Sequence, residues 1–369
     1  MAKSKVYFTD FRAKLGESIL VKLERLIRTA GIDQIDFEDK FVAIKMHFGE
    51  LGNLAFLRPN YAKVVADVVK SLGGKPYLTD CNTLYVGSRK HALEHLDTAA
   101  QNGFSPLSTG CQIIIADGLK GTDDVEVPIE GAEYCPAPKI GRAVMDCDIF
   151  ISLNHFKGHE ATGFGGALKN IGMGCGSRRG KMEMHNAGKP VVNEELCVGC
   201  AMCAKFCAHD AITIAERKAS IDHDICVGCG RCVSVCPKDA VETSCDESND
   251  ILNMKIAEYS KAVIDGKPHF HISIVRDVSP YCDCHAENDA PIVPNVGMFA
   301  SFDPVALDVA CADAVNNQPI LANTMLSEAD HEGHDHFGAV SPTTDWRVCP
   351  EHAEKLGLGV REYELIAVK

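Results

Sequence analysis

Along the first 190 residues the spacing of apolar positions switches repeatedly between a period of two and one near 3.6, as strands alternating with helices require. Val6 to Phe8 reads as a strand, and Ile19, Leu20, Leu23, Leu26 and Ile27 then share one helical face that stops at Gly31. Phe41 to Met46 predicts a second strand. The next helix opens at Pro59, whose missing N–H is no loss in a first turn, and carries Val64, Val65, Val68, Val69 and Leu72 up to Gly73 and Gly74. Further strands are expected at Tyr77 to Thr79, Ile113 to Ala116 and Ile149 to Leu153, with a helix over Ser88 to Asn102 between the first two.

The same alternation resumes late in the chain: a helix over Leu252 to Ile264, a strand Phe270 to Val275, a helix Asp303 to Val315 and a closing strand Glu364 to Val368. It predicts an α/β fold, a mostly parallel sheet with helices on both faces. The intervening stretch is short, cysteine-dense and internally repeated. The expected organisation is therefore a first part of the α/β domain over 1–190, a small α+β module inserted over 191–246, and the second part of the α/β domain over 247–369.

Composition narrows the partners. The 369 residues are 46% apolar and 24% charged, and no apolar run approaches the length of a membrane span. With 51 acidic against 37 basic residues, the net charge of −14 repels phosphate backbones and anionic lipid, so neither nucleic acid nor membrane is expected as a partner. The first residues lack the apolar core and cleavage site of a secretory signal, so a cytoplasmic location is expected. In that reducing compartment 18 cysteines argue for metal ligation over disulfides.

Cys197, Cys200, Cys203 and Cys207 form C-x2-C-x2-C-x3-C, and Cys226, Cys229, Cys232 and Cys236 repeat it, followed by Pro237. At the same offset of 29 residues Val192 matches Ile221, Asn193 matches Asp222, Asp210 matches Asp239 and Ala211 matches Ala240. This is a duplicated half-module with the cysteine run of bacterial two-cluster ferredoxins. Three thiolates on one tight loop cap three irons of a cube, and the fourth reaches the neighbouring cube. The expected cofactors are two [4Fe–4S] clusters, one held by Cys197, Cys200, Cys203 and Cys236, the other by Cys226, Cys229, Cys232 and Cys207. A pair of zinc knuckles is the plainer alternative, which the duplicate spacing disfavours. Ala208 stands where the pattern has proline.

In open α/β sheets ligands bind beyond the carboxyl ends of strands, and the ionisable residues collect there. The strands run into Lys45, Met46 and His47, into Asp80, Cys81 and Asn82, into Asp117 and Gly118, and into Asn154, His155, Phe156, Lys157, Gly158, His159 and Glu160. Next comes a glycine-rich segment from Gly163 through Gly165, Gly166 and Lys169 to Lys181, with Arg178 and Arg179. It matches neither a Walker loop nor G-x-G-x-x-G, yet its backbone N–H groups are expected to cradle a phosphate or carboxylate. Cys282, Asp283, Cys284 and His285 form a further candidate, in which Cys282 and Cys284 join Cys175 or a rim histidine around a third metal. His331 to His336 does not have the zincin spacing, and only His336 is retained as a minor rim residue.

The stretches Lys45 to Asn53, Leu78 to Gly87, Ile114 to Gly118, His155 to Gly174, and Asp335 through Trp346 and Arg347 to Ile366 resemble the uncharacterised iron–sulfur centre proteins of the domain-of-unknown-function 362 family. The resemblance covers nearly the whole chain. It implies an α/β domain carrying a ferredoxin-type insert, in anaerobe-like redox metabolism, and names no substrate.

Two functions follow as expectations. The first is a reductase, in which the clusters pass electrons to a small anionic substrate or bound cofactor at the strand-end rim. There Lys157 and Lys169 hold the anion, His47, His155 or His159 donates a proton, and Lys45, Asp80, Asn82, Gly165 and Gly166 line the site. The second is an electron carrier or metallocentre maturation factor that docks a partner protein and has no substrate of its own. Either function requires an electron-donor or electron-acceptor protein. A Lewis-acid role for one cluster finds no open iron position among eight matched ligands.

Overall fold

The computed structural model describes residues 3–84, 87–186, 189–207, 209–226, 228, 231–243, 249–329 and 334–369. Cys229, Ala208 and the segment His331 to Gly333 lie outside them. Eight strands make the central sheet: β1 (Ser4–Asp10), β2 (Phe41–Lys45), β3 (Lys75–Asp80), β4 (Gln112–Ile115), β5 (Ile149–His155), β6 (His269–Val275), β7 (Gly297–Ser301) and β8 (Tyr363–Ala367). Their order across the sheet is β8-β1-β7-β6-β5-β2-β3-β4. Only β7 runs antiparallel to both its neighbours. The chain is thus an α/β protein with a mostly parallel sheet, and strands from before residue 190 and after residue 250 share it.

The helices of eight residues or more are α1 (Ile19–Thr29), α2 (Pro59–Ser71), α3 (Ala92–Gln101), α4 (Ala167–Cys175), α5 (Arg178–Asn186), α6 (Asn249–Ile264), α7 (Pro304–Asn316) and α8 (Val348–Lys355). Ser18 caps α1 by accepting the N–H of Val21 at 3.3 Å, and Asp303 caps α7 by accepting those of Val305 and Ala306. Among the described residues no helix is long and apolar enough to cross a membrane.

The strands alternate strictly. On one face Val42, Ile44, Leu78, Ile149, Ile151, Leu153, Ile272 and Ile274 meet Leu23, Leu26 and Ile27 of α1 and Val65 and Val69 of α2, all buried. Each such side chain contributes roughly 1.5–3 kcal/mol by leaving water. The other face, under α4 and α6, begins as apolar with Ala43, Tyr77 and Phe150. Towards the carboxyl ends it turns polar, because the period of two puts Lys45, Ser152, Asn154, His271 and Ser273 there. The register sets Lys45 beside Ser152, Ser152 beside His271 and Asn154 beside Ser273.

The glycine-rich segment begins as a short strand, Gly163–Gly165, and continues as the two helices α4 and α5. Residues 190–243 repeat their structure as well as their sequence. Helix Met202–Phe206 is matched by Arg231–Val235, and hairpin Ile212–Ala215 with Lys218–Ile221 by Pro190–Val192 paired with Val241–Thr243. Gly199 and Gly228 share φ +68°, and Asp210 and Asp239 share φ +51°. Asn193 N–H donates to Ala240 O, and its counterpart Asp222 N–H donates to Ala211 O, both at 2.8 Å. The two halves are therefore related by exchange, each supplying a strand-end carbonyl to the other's loop.

Candidate functional site

The carboxyl ends of β2, β3 and β5 deliver Lys45, Asp80 and His155 from within the strands, so these residues are buried, not solvated loop charges as a rim would suggest. Lys45 Nζ lies 3.0 Å from Asp80 Oδ1 and donates to Asn170 Oδ1 of α4 at 2.9 Å. Asn170 donates in turn to Lys45 O and to Asn154 Oδ1, which ties α4 to β2 and β5. A Cβ at Gly174 would press on the end of the Lys45 side chain, so glycine there leaves room for the lysine beneath the helix. Burial raises the Asp80 carboxyl, but Lys45, His95 and His47 outweigh it and hold the group well below the usual range.

Arg89, itself buried, pairs with Glu50 at 2.9 Å and reaches His47 Nε2 at 2.9 Å. The N–H of Gly49 donates to the other ring nitrogen of His47, also at 2.9 Å. His47 therefore meets donors on both sides. Burial, aided by Arg89, pushes its pKa well below the ordinary value. A neutral ring can accept only one of these two bonds. His155 is the reverse: Asp283 faces Nδ1 at 2.9 and 3.0 Å, and Arg276 O lies 2.7 Å from Nε2, so both nitrogens face acceptors. Lys157 Nζ stands 3.7 Å from the same Asp283 carboxylate. Burial raises the Asp283 carboxyl, but His155 and Lys157 keep it ionised far into acid.

A third group lies where hairpin Lys157–His159 with Gly163–Gly165 meets the loop after β6. Ligand atoms of His159, Cys282 and Cys284 all fall within 4.8 Å of one another. Lys169 Nζ of α4 donates to Cys282 Sγ at 3.4 Å, as does the backbone N–H of Cys284. Of the partners left open by sequence, the rim histidine is present and Cys175 is not. The Cys175 thiol lies in the core under the sheet, pushed up to about 12 by burial. Glu160 and His285 pair at 2.9 Å on the exposed side. The cysteine run marked Asp283 without its role beside His155, and no sequence signal singled out Arg89, because the partners of both are distant in sequence.

Asn82 turns away from this centre and donates to Asp117 Oδ1 and Gly118 O, bracing the loops after β3 and β4. At the start of α4 the expected anion cradle is filled by the chain itself. Asp308 of α7 accepts the N–H groups of Ala167 and Leu168 at 2.6 and 2.9 Å, and a Cβ on Gly166 would strike that carboxylate. Gly165 lies against Lys157 Nζ. His336 is away from the rim, its N–H bonded to Asn316 Oδ1 and its ring to Gln318 O.

In the repeated module Cys197, Cys200, Cys203 and Cys236 line one cavity with Gly199, Lys238 and Ala240. Burial pushes the Cys203 thiol up, and Cys236, Cys197 and Cys200 add to it as like charges. Backbone N–H groups of Ala219, Gly228 and Ala240 donate to Cys197, Cys226 and Cys236. A cavity ringed by four thiols, with N–H groups aimed at sulfur, fits a cuboidal cluster. The second set includes Cys229, outside the described residues. The module's core of Cys197, Cys203, Cys232 and Val233 also takes in Leu84 from the loop after β3 and Met182 of α5. Lys90 pairs with Asp239, and Lys120 covers the Phe206 ring at 5.3 Å.

No curated protein matches the chain. Among solved structures it is similar to a Thermotoga maritima protein from a structural genomics consortium, with TM-score 0.43 and 13% identity, covering 80% of this chain and 58% of that one. It is also similar to the lactate racemase apoprotein of Thermoanaerobacterium thermosaccharolyticum, with TM-score 0.37 and 11% identity, covering 74% of this chain and 51% of that one. The chain thus spans little more than half the length of either. A family model described as domain of unknown function (DUF362) matches residues 42–313, and with most of its length inside that match the chain belongs to the DUF362 family.

Proposed function

We propose that the chain is an iron–sulfur redox protein whose 191–246 module holds two [4Fe–4S] clusters and serves a reductase site at the carboxyl ends of β2, β3 and β5. The observation that carries the reading is the cavity lined by Cys197, Cys200, Cys203 and Cys236, the set in which the fourth cysteine comes from the other half of the repeat. The shared packing of Leu84 and Met182 with the module core supports electron passage towards the rim. When bound, the clusters supply single electrons. The chain's own groups position and charge-balance: Lys157 and Lys169 offer cations to a small anionic substrate, and His155, its ring held between Asp283 and Arg276 O, is the candidate proton donor. His159 remains a candidate donor through Nε2.

The test is electron paramagnetic resonance of the anaerobic, dithionite-reduced protein. Two interacting cluster signals are expected, and Cys236→Ser is expected to alter the one assigned to the Cys197 loop. Silence from a fully reduced, correctly folded protein would overturn the reading.

A further inference from the structure

The three side chains His159, Cys282 and Cys284 have the spacing of ligands to one soft metal ion, but the histidine is turned the wrong way for it. The backbone N–H groups of Ala161 and Thr162 both donate to His159 Nδ1, at 3.1 and 3.2 Å. Nδ1 is therefore an acceptor, and the proton of the neutral ring sits on Nε2, which leaves Nε2 as the donor in the bond between His159 and Cys282. Metal-bound histidines show the opposite arrangement, with the ligating nitrogen bare and the other N–H donating to an oxygen. In place of a metal, Cys282 Sγ meets donors: Lys169 Nζ at 3.4 Å, the N–H of Cys284 at 3.4 Å, His159 and the Cys284 thiol. Lys157 adds positive charge nearby. The geometry is that of a buried thiolate beside a partner thiol within reach, and Cys284 is the member open towards solvent, next to the exposed Glu160 and His285 pair.

We propose that Cys284 and Cys282 are a redox-active dithiol that reduces a low-molecular-weight disulfide. Cys284 passes its proton to the Cys282 thiolate it bonds and, now a thiolate, attacks one sulfur of the substrate disulfide, forming a mixed disulfide. The first substrate thiolate leaves and takes that proton from Cys282. Cys282, a thiolate again, then attacks Cys284 sulfur, closing the Cys282–Cys284 bond and expelling the second substrate thiolate, which takes a proton from solvent. Two electrons and one proton return the pair to one thiolate and one thiol. The net change is one disulfide, two electrons and two protons to two thiols. The electrons come from the chain's one-electron iron–sulfur module; this recharging step rests on the two-cluster reading, whereas the exchange steps do not.

The probe is glutathione disulfide, added anaerobically to the full-length protein, with acid quenching and mass spectrometry of the peptide spanning residues 282–284. Wild-type protein is expected to lose two hydrogens from that peptide and release two reduced glutathiones per disulfide. Cys282→Ser is expected to accumulate a mixed disulfide on Cys284 approaching one per chain. Cys284→Ser is expected to trap at least tenfold less, because Cys282 is shielded. Capture on neither variant, with no loss of hydrogen in the wild type, would overturn the proposal. So would one zinc or iron per chain bound outside the module and released by Cys282→Ser, Cys284→Ser and His159→Gln alike. Iron and sulfide are assayed on the same samples, so a reactive dithiol without clusters would remove only the recharging step.

Discussion

Lys45 and Asp80 form an ion pair 3.0 Å apart with both side chains almost wholly withdrawn from water. Removing one partner of such a pair leaves the other charge stranded, at a cost of roughly 3–5 kcal/mol. Lys45→Met is accordingly expected to lower the unfolding free energy by about that much in urea titrations, and Lys45→Met with Asp80→Asn by clearly less than the sum of the two single changes. Strict additivity would mean the two residues do not act as a pair. Asp308 poses a different balance, since two helix N–H groups favour its charge while full burial opposes it, and burial wins, pushing it up to about 7. The folded state therefore holds a proton that the unfolded chain, titrating at 3.8, releases. Its contribution to stability is complete below the unfolded value and is lost as pH rises towards about 7. The unfolding free energy of wild type minus that of Asp308→Asn should fall across this window, and a rise would show that the helix terminus dominates. These residues were legible to different degrees. Lys45, Asp80, His155, Lys157 and His159 stand at strand ends and were found by that rule, and Asp283 stood out only by lying between two cysteines, whereas Arg89 becomes a site residue only through contacts made across the fold.

At the scale of elements, periodicity recovered most strands and helices of the α/β part to within a few residues: Pro59 does open α2, and the expected strand Phe270 to Val275 lies within β6. The antiparallel β7, with its Gly297 start and mixed composition, carried no comparable signal. The glycine-rich segment was read as an anion cradle, yet Gly172, Gly174 and Gly180 lie within α4 and α5, where neighbours demand bare backbone. A Cβ at Gly172 would strike the Ile256 carbonyl, and one at Gly180 would strike the Lys139 carbonyl. Tertiary packing here overrides the weak helix propensity of glycine. The same logic locates the join between module and sheet, where Leu84 is buried among Cys197, Cys203 and Val233. Leu84→Asp places a charge in that apolar contact. Limited proteolysis is expected to cut within 189–243 at least tenfold faster than in wild type while far-ultraviolet circular dichroism stays unchanged. Equal cleavage rates would show that the module does not depend on this contact.

For the molecule as a whole, the arrangement runs from a repeated cysteine module, through Leu84 and Met182, to a polar centre built from β2, β3, β5 and the loop after β6. The sheet supplies direction, because parallel strands send their carboxyl ends, and the residues on them, to one edge. The module supplies the donor set that fits iron–sulfur chemistry, and in a chain of net charge −14 Lys157 and Lys169 are local attractors for an anion. The open rim expected from sequence is instead closed by its own ion pairs, so a ligand must displace or join them. The central claim is that the repeated cysteines hold two clusters. The most direct measurement is iron and acid-labile sulfide in protein purified without oxygen: about eight of each per chain are expected for two four-iron clusters. Stoichiometric zinc with no sulfide would contradict the account.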